Sequence, residues 1–194
     1  MKTGIFGGTF NPIHCGHLIN CEFVRSSAGL DRVIFVPAGT PVHKPDLNIE
    51  SAEDRCNMIS LAIENNPDFS LSRIEIERST ESYTIYTLDA FRKTYPEDEL
   101  FLIIGSDSFN ELDTWKDYEK IIRSVSLIVM TRPGDVSLRK DLLEAADQYV
   151  ITKNPLIELS SSEIREQVRR GISVRYQLPD SVNNYILSKG LYKH

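Results

Sequence analysis

Gly4-Ile5-Phe6-Gly7-Gly8-Thr9-Phe10-Asn11-Pro12-Ile13-His14-Cys15-Gly16-His17 decides the reading of this chain. An apolar strand over Lys2–Phe6 runs into a glycine turn. A helix follows from about Gly16 to Ser27, with two histidines at its start. Glycines carry no Cβ and let a backbone approach a bulky anion closely. The first turn of a helix points unsatisfied N–H groups at the same spot. His14 and His17 add imidazole donors. A helix N-terminus disfavours a charged imidazole, and a neighbouring phosphate reverses that preference. The stretch reads as a phosphate site without an acid or an evident metal cage.

The rest of the chain alternates in the same manner. Arg32–Pro37, Leu100–Ile104 and Ser126–Met130 are apolar runs of strand length, and Phe69–Glu77 alternates apolar with polar residues. Short strands are expected at Tyr149–Ile151 and Leu156–Glu158. Ser51 with Asp54 reads as a cap for a helix to about Asn65, and Thr84 starts another to about Thr94. Helical stretches are expected at Ser106–Leu112 and Tyr118–Arg123. Two more run from about Ser161 to Arg170 and from Pro179 to Lys189, with Gly171 and Gly190 as stops. Strands alternating with amphipathic helices predict an α/β fold, a central parallel sheet with helices on both faces. Ligands of such folds bind beyond the carboxyl ends of the strands. No repeat or long linker divides the 194 residues, so 1–194 is expected to form a single domain that includes the helices of 161–194.

Composition narrows the function. The net charge of -6 disfavours broad binding of nucleic acid or an anionic membrane. No apolar stretch is long enough to span a bilayer, and no signal-peptide core is visible. Cys15, Cys21 and Cys56 are odd in number and unpaired in spacing, which reads as free thiols in the cytoplasm. The histidine pair lacks the glutamate of a His-Glu-x-x-His zinc site, so no protein-held metal is expected.

Further constellations lie at the expected strand ends. Leu159-Ser160-Ser161-Ser162-Glu163-Ile164-Arg165 combines a capping box with a guanidinium, a second anion site in prospect. Pro37-Ala38-Gly39-Thr40-Pro41-Val42-His43-Lys44-Pro45 is a stiff loop presenting Lys44. Ser82-Tyr83-Thr84 stands at a helix start. Gly105-Ser106-Asp107 leads to Trp115 and Lys116, the only tryptophan lying in a polar run. Thr131-Arg132-Pro133-Gly134 puts a guanidinium after an apolar strand.

The first and last of the anion motifs resemble the nucleotidyltransferase superfamily that carries a His-x-Gly-His motif. Asn11 stands where that pattern usually has Asp, and Ser162 where it usually has Thr. The intervening motifs, and Leu178-Pro179-Asp180 with Gly190-Leu191-Tyr192, are similar to the bacterial nicotinate-nucleotide adenylyltransferase family. That resemblance covers essentially the whole chain and implies a Rossmann-like fold. It implies transfer of AMP from ATP to nicotinate mononucleotide, giving deamido-NAD and pyrophosphate in NAD biosynthesis, with Mg²⁺ held mainly by the ATP phosphates.

The resemblance also assigns residues. Gly7, Gly8, Thr9, Phe10, His14, His17, Gly105, Asp107, Arg132, Ser161, Ser162, Ile164 and Arg165 fall to ATP. Thr9, Lys44, Tyr83, Thr84, Trp115 and Lys116 fall to the acceptor. His14, His17, Lys44 and Arg165 are the expected catalytic groups. The attacking group is a phosphate monoester, already anionic at neutral pH, so no general base is needed. The rival readings are an adenylyltransferase acting on phosphopantetheine or nicotinamide mononucleotide, and a nucleotide-sensing module without turnover.

Overall fold

The computed structural model describes residues 1–39, 49–78, 81–131 and 137–193. Six strands form one sheet: β1 (Lys2–Gly8), β2 (Arg32–Pro37), β3 (Phe69–Leu71), β4 (Glu99–Gly105), β5 (Ser126–Met130) and β6 (Tyr149–Thr152). Their order is β3-β2-β1-β4-β5-β6 and every pairing is parallel. Among the described residues six α-helices lie between the strands, α1 (Cys15–Ser27), α2 (Ala52–Ile63), α3 (Thr84–Thr94), α4 (Ser106–Asn110), α5 (Tyr118–Ser124) and α6 (Lys140–Ala145), and two follow β6, α7 (Ser161–Arg169) and α8 (Asp180–Lys189).

The apolar runs that look featureless in sequence resolve into period two once both faces of the sheet are covered. Phe6, Val33, Phe35, Phe101, Ile103, Ile128 and Met130 point to one face, where they meet Val24 of α1, Ile59 of α2, Ile164 of α7 and Ile186 of α8. Ile5, Ile34, Val36, Leu102, Ile104, Leu127 and Val129 point to the other, against Leu88 of α3, Phe109 of α4, Ile121 of α5 and Leu142 of α6. The parallel sheet with helices on both faces is therefore as the sequence indicates.

Register sets the place of the site. Gly8 pairs with Pro37, and Gly105 with Met130. Phe6 pairs with Ile103, which puts Gly8 and Gly105 on one level. The carboxyl ends of β1, β2, β4 and β5 thus form a row. Strand order reverses at β1, since β2 lies on one side and β4 on the other. The crevice above that reversal is the natural ligand position of such a sheet.

Two expected strands differ. Phe69–Glu77 is strand only to Leu71; beyond it the N–H groups of Ile76 and Glu77 both turn back to the Arg73 carbonyl. Glu75, a charged residue in that stretch, is buried. Leu156–Glu158 is no strand, and Leu156 is 64% exposed. Helix α6 and a 3-10 turn at Leu112–Thr114 were not anticipated.

Candidate active site

The loop between β1 and α1 is held by its aromatic and imidazole rings. A Cβ on Gly7 would meet nothing within 4 Å, so that backbone presents an open face. Phe10 adopts φ 48°, a left-handed conformation uncommon for a bulky residue. Edge contacts to Phe6 at 5.5 Å and His17 at 5.2 Å keep it there. His14 is buried and caps α1. Its backbone N–H donates to Nδ1 of His17 at 3.2 Å. In a neutral ring an accepting Nδ1 leaves the proton on Nε2, so His17 offers a donor on its outer side. The two imidazoles stack at 3.7 Å and 23°. A Cβ on Gly16 would sit 3.0 Å from His14 Nδ1, so the glycine between the histidines makes room for the first ring.

The trailing motif meets this loop. Ser160 caps α7 by accepting from the Glu163 N–H at 3.1 Å. Ser161 then donates to the Pro12 carbonyl at 2.8 Å. Arg165 donates to the Asn11 carbonyl at 2.8 Å and to Ser162 Oγ at 3.3 Å. Ile164 is fully buried in the same cluster as Phe10 and Ile13. Position 11 itself faces inward. Asn11 Oδ1 accepts from the Tyr192 hydroxyl at 2.8 Å and from the Glu50 N–H at 3.1 Å.

Arg55 of α2 is a residue the sequence reading missed. Its side chain is 2% exposed and donates to the carbonyls of Thr9 at 2.9 Å, Glu50 at 3.3 Å and Gly39 at 3.4 Å. Burial lowers its proton affinity, but a guanidinium stays charged at neutral pH. One cation thus ties the loop after β1 to the end of β2. A signal existed: Arg55 occupies the buried stripe of α2 with Met58, Ile59 and Ile63.

On the far side of Gly39 lies a second group. The Gly39 N–H donates to Ser82 Oγ at 3.0 Å. Tyr83 precedes Thr84, the first residue of α3. Lys116 sits 4.5 Å from the Tyr83 ring and 5.0 Å from that of Tyr86, and the neighbouring Tyr86 side chain raises its pKa. Trp115 packs half-buried against the core on the α3–α6 face of the sheet. Gly105 ends β4, and Asp107 stands exposed in the first turn of α4. Thr9, Arg55, Gly39, Ser82, Tyr83 and Lys116 therefore link the β1–α1 loop to the residue next to the tryptophan. Lys44 and Arg132 lie outside the described residues.

Among the described residues no group of three or more His, Cys, Asp or Glu side chains could hold a metal ion. No described helix is long and apolar enough to cross a membrane.

The cytidylyltransferase-like family matches residues 5–167. A protein of Caldicellulosiruptor saccharolyticus named probable nicotinate-nucleotide adenylyltransferase is 43% identical, covering 100% of both chains. One of Syntrophotalea carbinolica with the same name is 39% identical over 100% of this chain and 98% of its own. The structure of Plasmodium falciparum nicotinic acid mononucleotide adenylyltransferase complexed with NaAD superposes with a TM-score of 0.82, covering 99% of this chain and 98% of that one. Its sequence identity is 20%, so that likeness speaks for the fold alone.

Proposed function

We infer the function from one premise: the chain belongs to the cytidylyltransferase-like family, and full-length relatives at 43% and 39% identity are named for a single activity. The protein is an adenylyltransferase that moves AMP from ATP to nicotinate mononucleotide. The products are nicotinate adenine dinucleotide and pyrophosphate, a step of NAD biosynthesis. Residues 1–194 act together as one catalytic unit, because α7 and α8 complete the core beside β1. A cytoplasmic setting fits its three free cysteines.

The observation that carries the residue assignment is the junction of Ser161 and Arg165 with the Pro12 and Asn11 carbonyls. It gathers two helix starts, two imidazoles and a guanidinium about one loop, which suits a triphosphate. The acceptor's phosphate attacks the α-phosphorus; the new P–O bond forms as the bond to the β-phosphate oxygen breaks. Catalysis then consists of alignment and stabilisation of charge.

His17 donates from Nε2 to the α-phosphate as charge builds, with His14 stacked behind it. The backbone of Gly7, Gly8, Thr9 and Phe10 lines the phosphates. Lys44, Arg165, Ser161 and Ser162 hold the departing pyrophosphate. Arg132 and Ile164 border the adenine, and Gly105 with Asp107 receives its ribose. Mg²⁺ fits as a cation carried by ATP, since the described residues offer no carboxylate or histidine cluster to hold one; it neutralises phosphate charge when bound.

On the acceptor side Trp115 stacks on the pyridine ring beside Thr9, Lys44 and Tyr83. The nicotinate carboxylate meets the N–H groups near Thr84 and Lys116. The first turn of a helix leaves such N–H groups without helical acceptors. A neutral amide gains less there and brings its own N–H donors into conflict. Purified protein given ATP with nicotinate mononucleotide, nicotinamide mononucleotide or phosphopantetheine should release pyrophosphate fastest with the first, by about tenfold or more in kcat/KM. Equal efficiency with the amide overturns the carboxylate assignment, and preference for phosphopantetheine overturns the acceptor.

A further inference from the structure

Glu75 is a buried carboxylate that the mechanism above does not use. It is 8% exposed and lies in the turn after β3. The Thr87 hydroxyl of α3 donates to its Oε1 at 2.7 Å. Beside it Ser82 Oγ accepts the Gly39 N–H at 3.0 Å, and the Arg78 guanidinium donates to Thr87 Oγ1 at 3.5 Å. Burial raises its carboxyl pKa while these partners pull it down. The backbone is as close as the side chain: a Cβ on Gly39 would stand 2.3 Å from the Glu75 carbonyl oxygen and 2.8 Å from Ser82 Oγ. No side chain but glycine's hydrogen fits there. Three segments thus converge at Glu75: the end of β2, the turn after β3, and the first turn of α3 with the residues before it.

We propose that Glu75 is the positioning residue of the acceptor side, fixing Ser82-Tyr83-Thr84 against Gly39 and so setting where the Thr84 N–H meets the acceptor's carboxylate. The proposal rests on the acceptor assignment given above. Glu75 does not touch the acceptor. Its Oε1 is engaged by the Thr87 hydroxyl, which keeps the carboxylate turned inward, away from a second carboxylate. Replacing one carboxylate oxygen by an amide nitrogen removes the charge and one of the two acceptor oxygens while leaving the volume nearly unchanged.

Steady-state kinetics of Glu75→Gln tests this, with each substrate varied in turn and the thermal midpoint recorded. The KM for nicotinate mononucleotide is expected to rise about tenfold, with the KM for ATP within about twofold. Thr87→Val removes one donor with little change of shape and should move the same constant about threefold. If both KM values rise alike, or neither variant moves the acceptor KM, the positioning role is wrong. Should Glu75→Gln fail to fold, Thr87→Val decides by the same criterion. Trp115→Ala serves as the reference. If it leaves the acceptor KM unmoved, the acceptor assignment falls; if it raises that KM while Glu75 and Thr87 variants do not, only the proposal falls.

Discussion

His17 shows how one backbone bond determines what an imidazole can do. The His14 N–H occupies Nδ1, and the outward nitrogen becomes the donor. His17→Ala should lower kcat by about a hundredfold or more while circular dichroism and the thermal midpoint stay close to those of the parent. A near-normal kcat would remove His17 from the chemistry. Both histidines, the glycines and Ser161 to Arg165 were legible in the sequence because residue type and local spacing carry their meaning. Arg55 and Glu75 were not. Their importance lies in partners distant along the chain, although Arg55 shares the buried stripe of α2 with Ile59 and Ile63. Arg55→Met strips a donor from three carbonyls and should destabilise by about 2 kcal/mol or more, measured by urea denaturation. Arg55→Lys should recover little of this, because an ammonium lacks the planar fork that spans the Thr9, Glu50 and Gly39 carbonyls. Full recovery by lysine would mean that charge alone matters there.

Among the elements, the strands were readable where both faces are apolar and unreadable where pairing ends. β4 and β5 have neighbours on both sides, so each apolar run is strand along its length. β3 is an edge strand; β2 runs on to Pro37, but the pairing stops at Phe35–Leu71 because the chain after Leu71 turns back on itself at Arg73. Leu156–Glu158 follows β6, the opposite edge, and has no strand to join. The amino ends of the central strands are closed by Asp98. It accepts from Thr3 of β1 at 2.6 Å and Arg32 of β2 at 2.9 Å, and the Met1 amine lies at 3.4 Å. The Thr3 bond above all, then Arg32 and the amine, holds its carboxyl pKa below the usual range. A depressed carboxyl stabilises the fold at pH values above the unfolded pKa of about 3.9 and stops doing so as pH falls through the folded value. Asp98→Asn should therefore cost about 1–2 kcal/mol at pH 7, and the gap between the two proteins should close as the pH drops below 4. A gap that persists unchanged into strong acid would show that the ion pair is not its source.

At the scale of the molecule, the site exists because residues near opposite ends of the chain fold onto one another. Local patterns announced both phosphate motifs, but not the third party to their junction. Tyr192 is 7% exposed, and its hydroxyl reaches Asn11 while its N–H donates to Glu50 Oε1 at 3.2 Å. Glu50 in turn gives its own N–H to Asn11 and its carbonyl to Arg55. The last turn of the fold thus braces the loop whose carbonyl anchors Arg165. Two substitutions separate ring from hydroxyl. Tyr192→Phe removes one buried hydrogen bond and leaves the Glu50 N–H on Asn11, so the loss in a urea titration should be about 1 kcal/mol. Tyr192→Ala also empties the space of a ring in the core and should cost about 3–5 kcal/mol. If the tyrosine braces the phosphate loop as well as filling the core, Tyr192→Phe should raise the KM for ATP several-fold with the acceptor KM unchanged, the reverse of the pattern expected for Glu75→Gln. An unaltered ATP KM in Tyr192→Phe, alongside a large loss in Tyr192→Ala, would reduce the residue to packing and leave the loop to Arg165, Ser161, Arg55 and Glu50.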